Sequence, residues 1–402
     1  MTRKFSFDDV IRGLPPDSVQ LVEALVGWRR QGGGPLHLVG GPVRDLLLKR
    51  PVRDVDLLVE GDELGDAESL ARKAAPAGAR IVAHDRFGTV RIDWGGSAVD
   101  LATARREVYT RPGALPRVEV ASLEEDLCRR DFTVNSLAIP LLPNAPGDRV
   151  SVIDPGTGLE DLAAGQLCVF HGRSFHDDPT RAIRAARLST LLGFALARRS
   201  ASQLRVALRD GAFASVSGDR LRREVRMLFA DASRGLDLVQ ALRRLEGWGV
   251  LSVLEPGLAL PRDAVGPLRR LRRLAAGPPW PGPRARLWVA GFCIWLAPMP
   301  PELRHRALQR FSVRGDVAER IAGFSKLRDA SLATLGRSRG RGAVDRVLGE
   351  FDEERLLALC ASATPPVGRR IERWAAEDRR RRSPVGGNEL LEIGISGAAV
   401  GR

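Results

Sequence analysis

Two patterns of hydrophobic and polar positions divide the chain near residue 159. Before it, short apolar or alternating runs bounded by glycine and proline predict β-strands. The predicted strands cover residues 36–39, 54–59, 79–83, 89–93 and 98–101. Helical spacing is present over residues 18–28 and again over 43–48, directly after a Gly-Gly-Pro turn. Strands and helices mixed in this way predict an α/β head.

The pattern after residue 159 is almost entirely helical. Segments rich in Leu, Ala and Arg continue with helical spacing to about residue 377, and Pro/Gly-rich stretches such as 276–283 interrupt them. The sequence shows no repeat of fixed period. A mixed head followed by helical domains is therefore the predicted fold class.

Charge is distributed unevenly along the 402 residues. The chain has 63 Lys and Arg against 49 Asp and Glu, a net charge of +14. Residues 1–200 hold 27 basic and 27 acidic side chains, whereas residues 201–402 hold 36 and 22, so the whole excess lies in the second half. This favours chemistry in the first half and contact with a polyanion in the second. A solvated arginine-rich surface is the alternative interpretation.

The sequence shows no signal for export or membrane insertion and no cysteine spacing typical of structural zinc or a disulfide framework. The N-terminus has no apolar signal-peptide core, and the longest apolar run, residues 287–299, is shorter than the ~20 residues of a membrane span. The four cysteines are scattered without a C-x-x-C pair. We expect a soluble cytoplasmic protein whose cysteines are small hydrophobic side chains.

The turn after the first head strand is the most informative segment. Gly40 and Gly41 allow backbone amides to approach an anion, and Arg44 adds positive potential for a phosphate. Asp54 and Asp56 follow at i and i+2 of a predicted strand, so both carboxylates lie on one face. Two close carboxylates beside a phosphate site suit Mg²⁺. Either motif alone is more often an ordinary turn or surface strand, but together they favour a metal and phosphate site.

Four segments in fixed order carry a family resemblance. They are LVGGPVRDLLL at 38–48 with RDVDL at 53–57, FGTV at 87–90 with VDLATAR at 99–105, RRDFTVNS at 129–136, and DDPTRAIRAAR at 177–187. Together they resemble the class II tRNA nucleotidyltransferase and poly(A) polymerase family of the polymerase β superfamily. GNELLEIG at 387–394 is similar to the tail signature of that family.

The resemblance implies a polymerase β-like head followed by all-α neck, body and tail domains. The expected boundaries are residues 1–158 for the catalytic head, 159–230 for the neck that recognises the base, and 231–402 for the RNA-binding body and tail. It also implies in-line, two-metal nucleotidyl transfer with Mg²⁺ as cofactor.

Metal and phosphate roles follow from the same resemblance. Asp54 and Asp56 would bind Mg²⁺, and Asp100 would complete the carboxylate set and help to activate the primer 3′-hydroxyl. Without the motif at 99–105, Asp100 would be interpreted as a surface acid. The residues expected to hold the triphosphate are Gly40, Gly41 and Arg44.

The segment at 129–136 is expected to contact ribose and phosphates. The resemblance assigns this role to Arg130, Asp131 and Asn135. The alternative from the residues alone is a helix cap, in which Asp131 accepts backbone N–H bonds while the neighbouring arginines remain solvated.

Asp178, Arg181, Arg184 and Arg187 step by three and predict one polar stripe on a helix. A carboxylate can accept from the exocyclic amine of adenine or cytosine, and a guanidinium can donate to O2 and N3 of cytosine. The resemblance places base selection on Asp178 and Arg181, with the other two arginines supporting them or touching phosphate. Pro179 predicts the first helical turn, capped by Asp178 or the residue before it. A solvated face is the alternative.

The second half offers few motifs. We expect its arginines to contact RNA phosphates and its tryptophans to anchor the core. The candidate arginines are Arg269, Arg270, Arg272, Arg273, Arg304, Arg306, Arg310 and Arg314. The tryptophans in question are Trp248, Trp280, Trp288, Trp295 and Trp374.

The predicted activity is addition of CMP and AMP from CTP and ATP to the 3′ end of tRNA, as CCA addition or repair. The polar segment at 103–125, which contains Tyr109, resembles a subgroup that includes specialised CC- or A-adding enzymes. A poly(A) polymerase or a CC-only or A-only enzyme therefore stays open, and so does the choice between monomer and homodimer. An inactive RNA-binding protein is the alternative of a different class, and the intact set of three aspartates argues against it.

Overall fold

The computed structural model describes residues 3–31, 34–84, 87–108, 117–142, 148–280, 286–338 and 340–380. Tyr109 and the tail motif at 387–394 lie outside these ranges. The strands are β1 (Lys4–Ser6), β2 (Leu36–Val39), β3 (Val55–Val59), β4 (Arg80–His84), β5 (Thr89–Trp94), β6 (Ser97–Thr103), β7 (Arg105–Val108), β8 (Arg117–Val120), β9 (Ala138–Pro140), β10 (Arg149–Ser151), β11 (Gln166–Leu167) and β12 (Ala195–Leu196). All strands lie before residue 197 in the described part of the chain.

A six-stranded mixed sheet forms the centre of the head. Its order is β4-β5-β6-β3-β2-β9, and only the β3–β6 neighbours are parallel. The pairs β1–β10 and β7–β8 are antiparallel, and β11–β12 is parallel. This arrangement confirms the mixed α/β head, and the five strands predicted from the sequence all belong to the sheet.

Helices of the first part of the chain pack on the sheet or extend from it. They are α1 (Phe7–Gly13), α2 (Pro16–Arg29), α3 (Gly41–Leu47), α4 (Asp66–Ala74), α5 (Leu123–Cys128), α6 (Gly158–Ala164), α7 (Ser174–Asp177), α8 (Arg181–Leu192) and α9 (Arg198–Arg209). The helix α2 contacts α4 and β6, and its side chains Leu21 and Leu25 are fully buried. On α5, Leu123 and Leu127 join a core cluster with Leu58 of β3.

The remaining helices confirm the predicted helical second part. They are α10 (Gly218–Ala230), α11 (Leu238–Gly247), α12 (Val250–Leu254), α13 (Arg262–Leu274), α14 (Leu287–Leu296), α15 (Pro301–Arg310), α16 (Gly315–Arg337), α17 (Arg341–Leu348), α18 (Glu353–Ser362) and α19 (Pro365–Ala376). Within the described residues, no helix is long and apolar enough to cross a bilayer.

The described chain groups into two compact units. The first comprises Met1–Leu221 with Arg244–Leu254, and the second Arg222–Arg243 with Glu255–Arg402. Phe292 of α14 is the centre of the aromatic core in the second unit. Its ring lies 5.4–5.9 Å from four other rings, measured between centroids. Those rings belong to Phe229, Trp288, Trp295 and Phe311.

Several local expectations are corrected by the structure. Asp54 lies one residue before β3 rather than inside the strand. The helix α8 begins at Arg181 with Thr180 as its N-cap, so Pro179 precedes the helix and Asp178 closes α7. Arg304, expected at an RNA-facing surface, is buried and donates to the carbonyls of Met299 and Ala322, because α15 packs along α16.

Close packing at Gly291 provides a test of the second unit's core. A Cβ built on Gly291 would lie 2.1 Å from Cε1 of Phe229, whereas a Cβ on Gly323 of α16 would meet nothing within 4 Å. We predict that Gly291→Ala lowers the free energy of unfolding by about 1–3 kcal/mol because of overpacking. The matched Gly323→Ala should be neutral or stabilising by up to about 1 kcal/mol. Urea unfolding followed by tryptophan fluorescence measures both, and equal effects would contradict this account of the core.

Candidate active site

Three carboxylates meet where β3 and β6 run side by side. The parallel register pairs Asp56 of β3 with Asp100 of β6, and Asp54 lies two residues before Asp56. Asp54 and Asp100 line one cavity of about 690 Å³, together with Arg91 and Trp94. The structure therefore brings together the three aspartates that the sequence selected.

The electrostatics of this group are unfavourable for negative charge. Burial raises the pKa of Asp56 to about 6; Arg130 and Arg44 oppose this shift, while Asp100 and Asp54 add to it. The pKa of Asp100 is also raised, mainly by burial and despite the nearby Arg91. A cation bound between these carboxylates would relieve both effects.

Arg91 is a site residue that the sequence analysis missed. Its Nη1 lies 3.3 and 3.2 Å from the two carboxylate oxygens of Asp100, and its Nε donates to Asp93 at 3.0 Å. A signal for it exists, because Gly95 and Gly96 form a two-residue turn between β5 and β6. Such a turn fixes the register of a hairpin, and this register pairs Arg91 with Asp100.

The donor set at this edge of the sheet fits a magnesium ion bound jointly by protein and substrate. No group of three or more His, Cys, Asp or Glu side chains within the described ranges is arranged to hold a metal ion by itself. Mg²⁺ typically takes only one or two carboxylates and completes its shell with substrate phosphates and water. Asp54 and Asp56 offer such a pair of oxygen donors, and the pKa of Asp56 is raised mainly by burial, with Asp100 and Asp54 adding to the shift.

The glycine turn lies next to the carboxylates and under an arginine. Gly40 has φ +77°, and a Cβ at this position would lie 2.7 Å from Nη1 of Arg130. Only glycine therefore suits both the backbone and the close approach. Arg44 is buried, and its Nη1 donates to Oδ1 of Asn135 at 2.6 Å, while its Nε donates to Asp45 at 2.9 Å.

A buried acid holds the arginines of the 129–136 segment. Asp126, in the first turn of α5, is fully buried, and its Oδ2 accepts from Nη2 of Arg130 at 3.0 Å. Although burial would raise the pKa of Asp126, Arg130 and Arg129 lower it below its ordinary value. Nothing in the sequence marks this residue, because an acid in an acidic run gives no sign of burial.

Asp131 connects two of the predicted motifs. Its Oδ1 accepts from the backbone N–H of Phe132 at 2.9 Å and from Nδ2 of Asn135 at 3.0 Å. Its Oδ2 lies 3.2 Å from Nε of Arg184 on α8. Besides the local backbone bond that a cap would make, Asp131 thus connects the 129–136 segment to α8.

The predicted base-reading residues are buried rather than arranged on a solvated stripe. Asp178 is 6% exposed and Arg181 is 4% exposed. Nη2 of Arg181 donates to the carbonyl of Arg129 at 2.7 Å. Its Nε and Nη1 are buried without a hydrogen-bond partner among the described residues. Such donors are rare in proteins, and they leave Arg181 with two donor groups that no described residue uses.

Asp178 is held as an anion by its surroundings. Its carboxylate is 2.9 Å from Nη2 of Arg184 and 2.9 Å from Nη2 of Arg220. Burial alone would raise the pKa of Asp178, but Arg184 and Arg220 outweigh it, and with Thr180 they lower the value to about 2. Arg220 lies 42 residues away on α10 and outside every motif, so no sequence signal identified it. Arg187, the last of the predicted stripe, is half-buried on α8.

Comparison with known proteins agrees with this geometry. A family model described as the poly(A) polymerase head domain matches residues 36–168. The A-adding tRNA nucleotidyltransferase of Geobacter sulfurreducens is 31% identical over 397 residues, which is 96% of this chain. The chain spans only 44% of the length of that relative.

Two further matches cover most of both proteins. The A-adding tRNA nucleotidyltransferase of Halalkalibacterium halodurans is 28% identical over 394 residues, covering 95% of this chain and 85% of the relative. The solved structure of a CCA-adding enzyme in an apo form has a TM-score of 0.76 at 26% identity, covering 100% of this chain and 93% of the other. The head-domain match, the ordered motifs and the whole-chain structural match agree that this chain is similar to tRNA nucleotidyltransferases and poly(A) polymerases.

Proposed function

We propose that this protein is a template-independent RNA nucleotidyltransferase that adds CMP and AMP, from CTP and ATP, to the 3′ end of tRNA. The observation that carries the proposal is the β3–β6 register, which places Asp56 beside Asp100 with Asp54 close by. The names of the relatives support tRNA as the acceptor.

Gly40, Gly41 and Arg44 are proposed to bind the triphosphate. The N–H of Gly40 donates to the carbonyl of Leu137 at 2.9 Å, so Gly40 contributes close backbone approach rather than a free donor, and Nη1 of Arg130 lies directly over it. Arg44 and Asn135 are joined by a hydrogen bond, so the residues proposed to contact phosphate and ribose hold each other in place. Buried arginines that are already held in place lose little side-chain entropy when they bind a phosphate.

Asp178 and Arg181 are proposed to select the base. The ionised Asp178 accepts from an exocyclic amine, which cytosine and adenine have and uracil lacks. The two unpartnered donors of Arg181 are available to base acceptors. Both side chains belong to α8 or the turn before it, so the protein itself takes the place of a template.

Asp54 and Asp56 are proposed to hold Mg²⁺ together with the substrate phosphates. The bound ion would supply charge stabilisation for the attacking and leaving oxygens. Asp100 lines the cavity beside them and is proposed to orient the primer 3′-hydroxyl. The raised pKa of Asp100 makes it a better acceptor for the hydroxyl proton than an ordinary exposed aspartate.

A narrower specificity is the second candidate function. The Geobacter and Halalkalibacterium relatives are both named A-adding enzymes, and a CC-adding enzyme from Deinococcus radiodurans is 36% identical over 226 residues. Addition of AMP alone to tRNA ending in CC is therefore a specific alternative to complete CCA addition. The two alternatives differ only in the acceptor ends and nucleotides that the enzyme accepts.

An extension assay tests the proposal. Purified protein with Mg²⁺ is incubated with tRNAs ending at the discriminator base, at C or at CC, and CTP and ATP are supplied singly and together. We predict that all three tRNAs are extended to a CCA end, whereas AMP addition only to tRNA ending in CC would indicate the A-only enzyme.

Asp54→Ala should reduce extension at least about 1,000-fold because it removes a metal ligand, and tRNA binding should be retained.

The assay also has outcomes that reject the proposal. Long A tails on unrelated RNA would indicate a poly(A) polymerase, and absence of extension on every acceptor would favour an RNA-binding protein. Full activity of Asp54→Ala would contradict the metal assignment. Asp62→Ala serves as the matched control, because Asp62 is an exposed head aspartate outside the cavity.

The pKa of Asp56 predicts a pH-dependent stability. Because the folded-state pKa is about 6 rather than 3.8, ionisation of Asp56 opposes folding increasingly as the pH rises towards 6, and fully above it. Without metal, Asp56→Asn should therefore raise the melting temperature by at least about 2 °C at pH 8 and by less at pH 5. Added Mg²⁺ should stabilise the wild type and not the variant.

Asp62→Asn is the control for this measurement. It removes the same charge from an exposed position, so it should leave both the pH dependence and the Mg²⁺ response unchanged. An Asp56→Asn variant that melts at the wild-type temperature at pH 8, and still gains stability from Mg²⁺, would show that Asp56 neither carries the unfavourable charge nor binds the ion.

A further inference from the structure

The two oxygens of the Asp178 carboxylate have different surroundings. Oδ1 accepts three hydrogen bonds, from the backbone N–H of Thr180 at 3.1 Å, from Oγ1 of Thr180 at 2.6 Å and from Nη2 of Arg220 at 2.9 Å. Oδ2 accepts one, from Nη2 of Arg184 at 2.9 Å. A carboxylate offers about two acceptor sites on each oxygen. Oδ1 is therefore saturated, and Oδ2 keeps one lone pair.

We propose that Arg220 is a positioning residue for base selection, which holds Oδ1 of Asp178 so that Oδ2 accepts the exocyclic amine of cytosine or adenine. This inference rests on the proposed function, in which Asp178 selects the base. It adds a residue from α10 and assigns the two carboxylate oxygens different tasks. Uracil presents a carbonyl oxygen where cytosine presents its amine, so it would face a second acceptor at Oδ2.

The positions of the neighbouring cations explain why Arg220 is needed. Arg184 and Arg181 both belong to α8, whereas Arg220 belongs to the first turn of α10. Arg184 also lies 3.2 Å from Oδ2 of Asp131, so it is shared between two acids. Without Arg220, both remaining cations would attract the carboxylate towards α8. The lone pair of Oδ2 would then be used within the protein and lost to the base.

Burial makes this arrangement rigid. Asp178 is 6% exposed, and its carboxylate has little access to water that could replace a lost donor. In such surroundings a charged hydrogen bond is worth more than at the surface, and removing one partner disturbs the other. Arg220 is itself largely covered, with about a quarter of its side chain exposed (23%). The pair is thus a built contact rather than a chance surface ion pair.

Equilibrium binding of CTP, ATP and UTP to the full chain in Mg²⁺ tests the inference without relying on catalysis. Arg220→Gln should weaken CTP and ATP binding by about 10-fold and change UTP binding less than about 2-fold, so the preference for bases with an exocyclic amine collapses. Arg220→Lys should keep most of the preference, because an ammonium still donates to Oδ1. The control is Arg223→Gln, an exposed arginine on the same helix, which should bind like the wild type.

Thr180→Val provides a second variant that does not alter charge. It removes the Oγ1 donor to Oδ1 with little change of shape, and it should reduce the preference for CTP over UTP in the same direction as Arg220→Gln. This keeps the inference testable if Arg220→Gln does not fold, which circular dichroism would reveal.

Two results would overturn the inference. One is an Arg220→Gln or Thr180→Val protein that folds and keeps the wild-type ratio of CTP to UTP affinity. The other is equal weakening of all three nucleotides, which would assign Arg220 a structural role only. A wild-type protein that binds nucleotides without preferring CTP and ATP would instead refute the proposed base selection by Asp178, so the two failures are distinguishable.

Discussion

The parallel register of β3 and β6 places Asp56 directly beside Asp100, and most features of the head follow from the charge of this pair. Two carboxylates at adjacent positions of neighbouring strands repel each other, and the burial of Asp56 strengthens the penalty. Positive charge is therefore required nearby. Arg91 supplies it to Asp100, and Arg130 and Arg44 supply it to Asp56. The glycine turn lies beneath Arg130, so the same requirement places positive charge over this turn, next to the carboxylates.

Arginine serves throughout the first unit to link acids that belong to different elements. Arg184 reaches both Asp131 and Asp178, and Arg220 reaches Asp178 from α10. A guanidinium has five donors in a fixed plane and stays charged when buried, which a lysine does not match. The 129–136 segment, α8 and α10 are thereby joined in one network of ion pairs. A change at one acid is expected to be felt at the others because they share cations.

The sequence was sufficient to find the residues that carry charge or glycine in an ordered motif. Strand alternation and turn chemistry are local properties, and they identified Asp54, Asp56 and the turn at Gly40, whereas Asp100 was selected only by the family resemblance. It failed where an interaction joins distant segments or depends on burial. The contact of Asp178 with Arg220 spans 42 residues, and the burial of Arg304 depends on packing of α15 along α16. The start of α8 at Arg181, two residues after Pro179, was also missed.

By itself, the sequence determined the mixed head, the helical remainder and which acids and arginines belong to the motifs, because hydrophobic periodicity and motif spacing are properties of the sequence alone. Only the tertiary structure decided which oxygen of Asp178 is saturated, which donors of Arg181 lack a partner and how far the pKa of Asp56 is raised. These properties depend on which groups from distant segments come within about 3–4 Å in a space that excludes water. Local sequence does not contain that information, and packing supplies it.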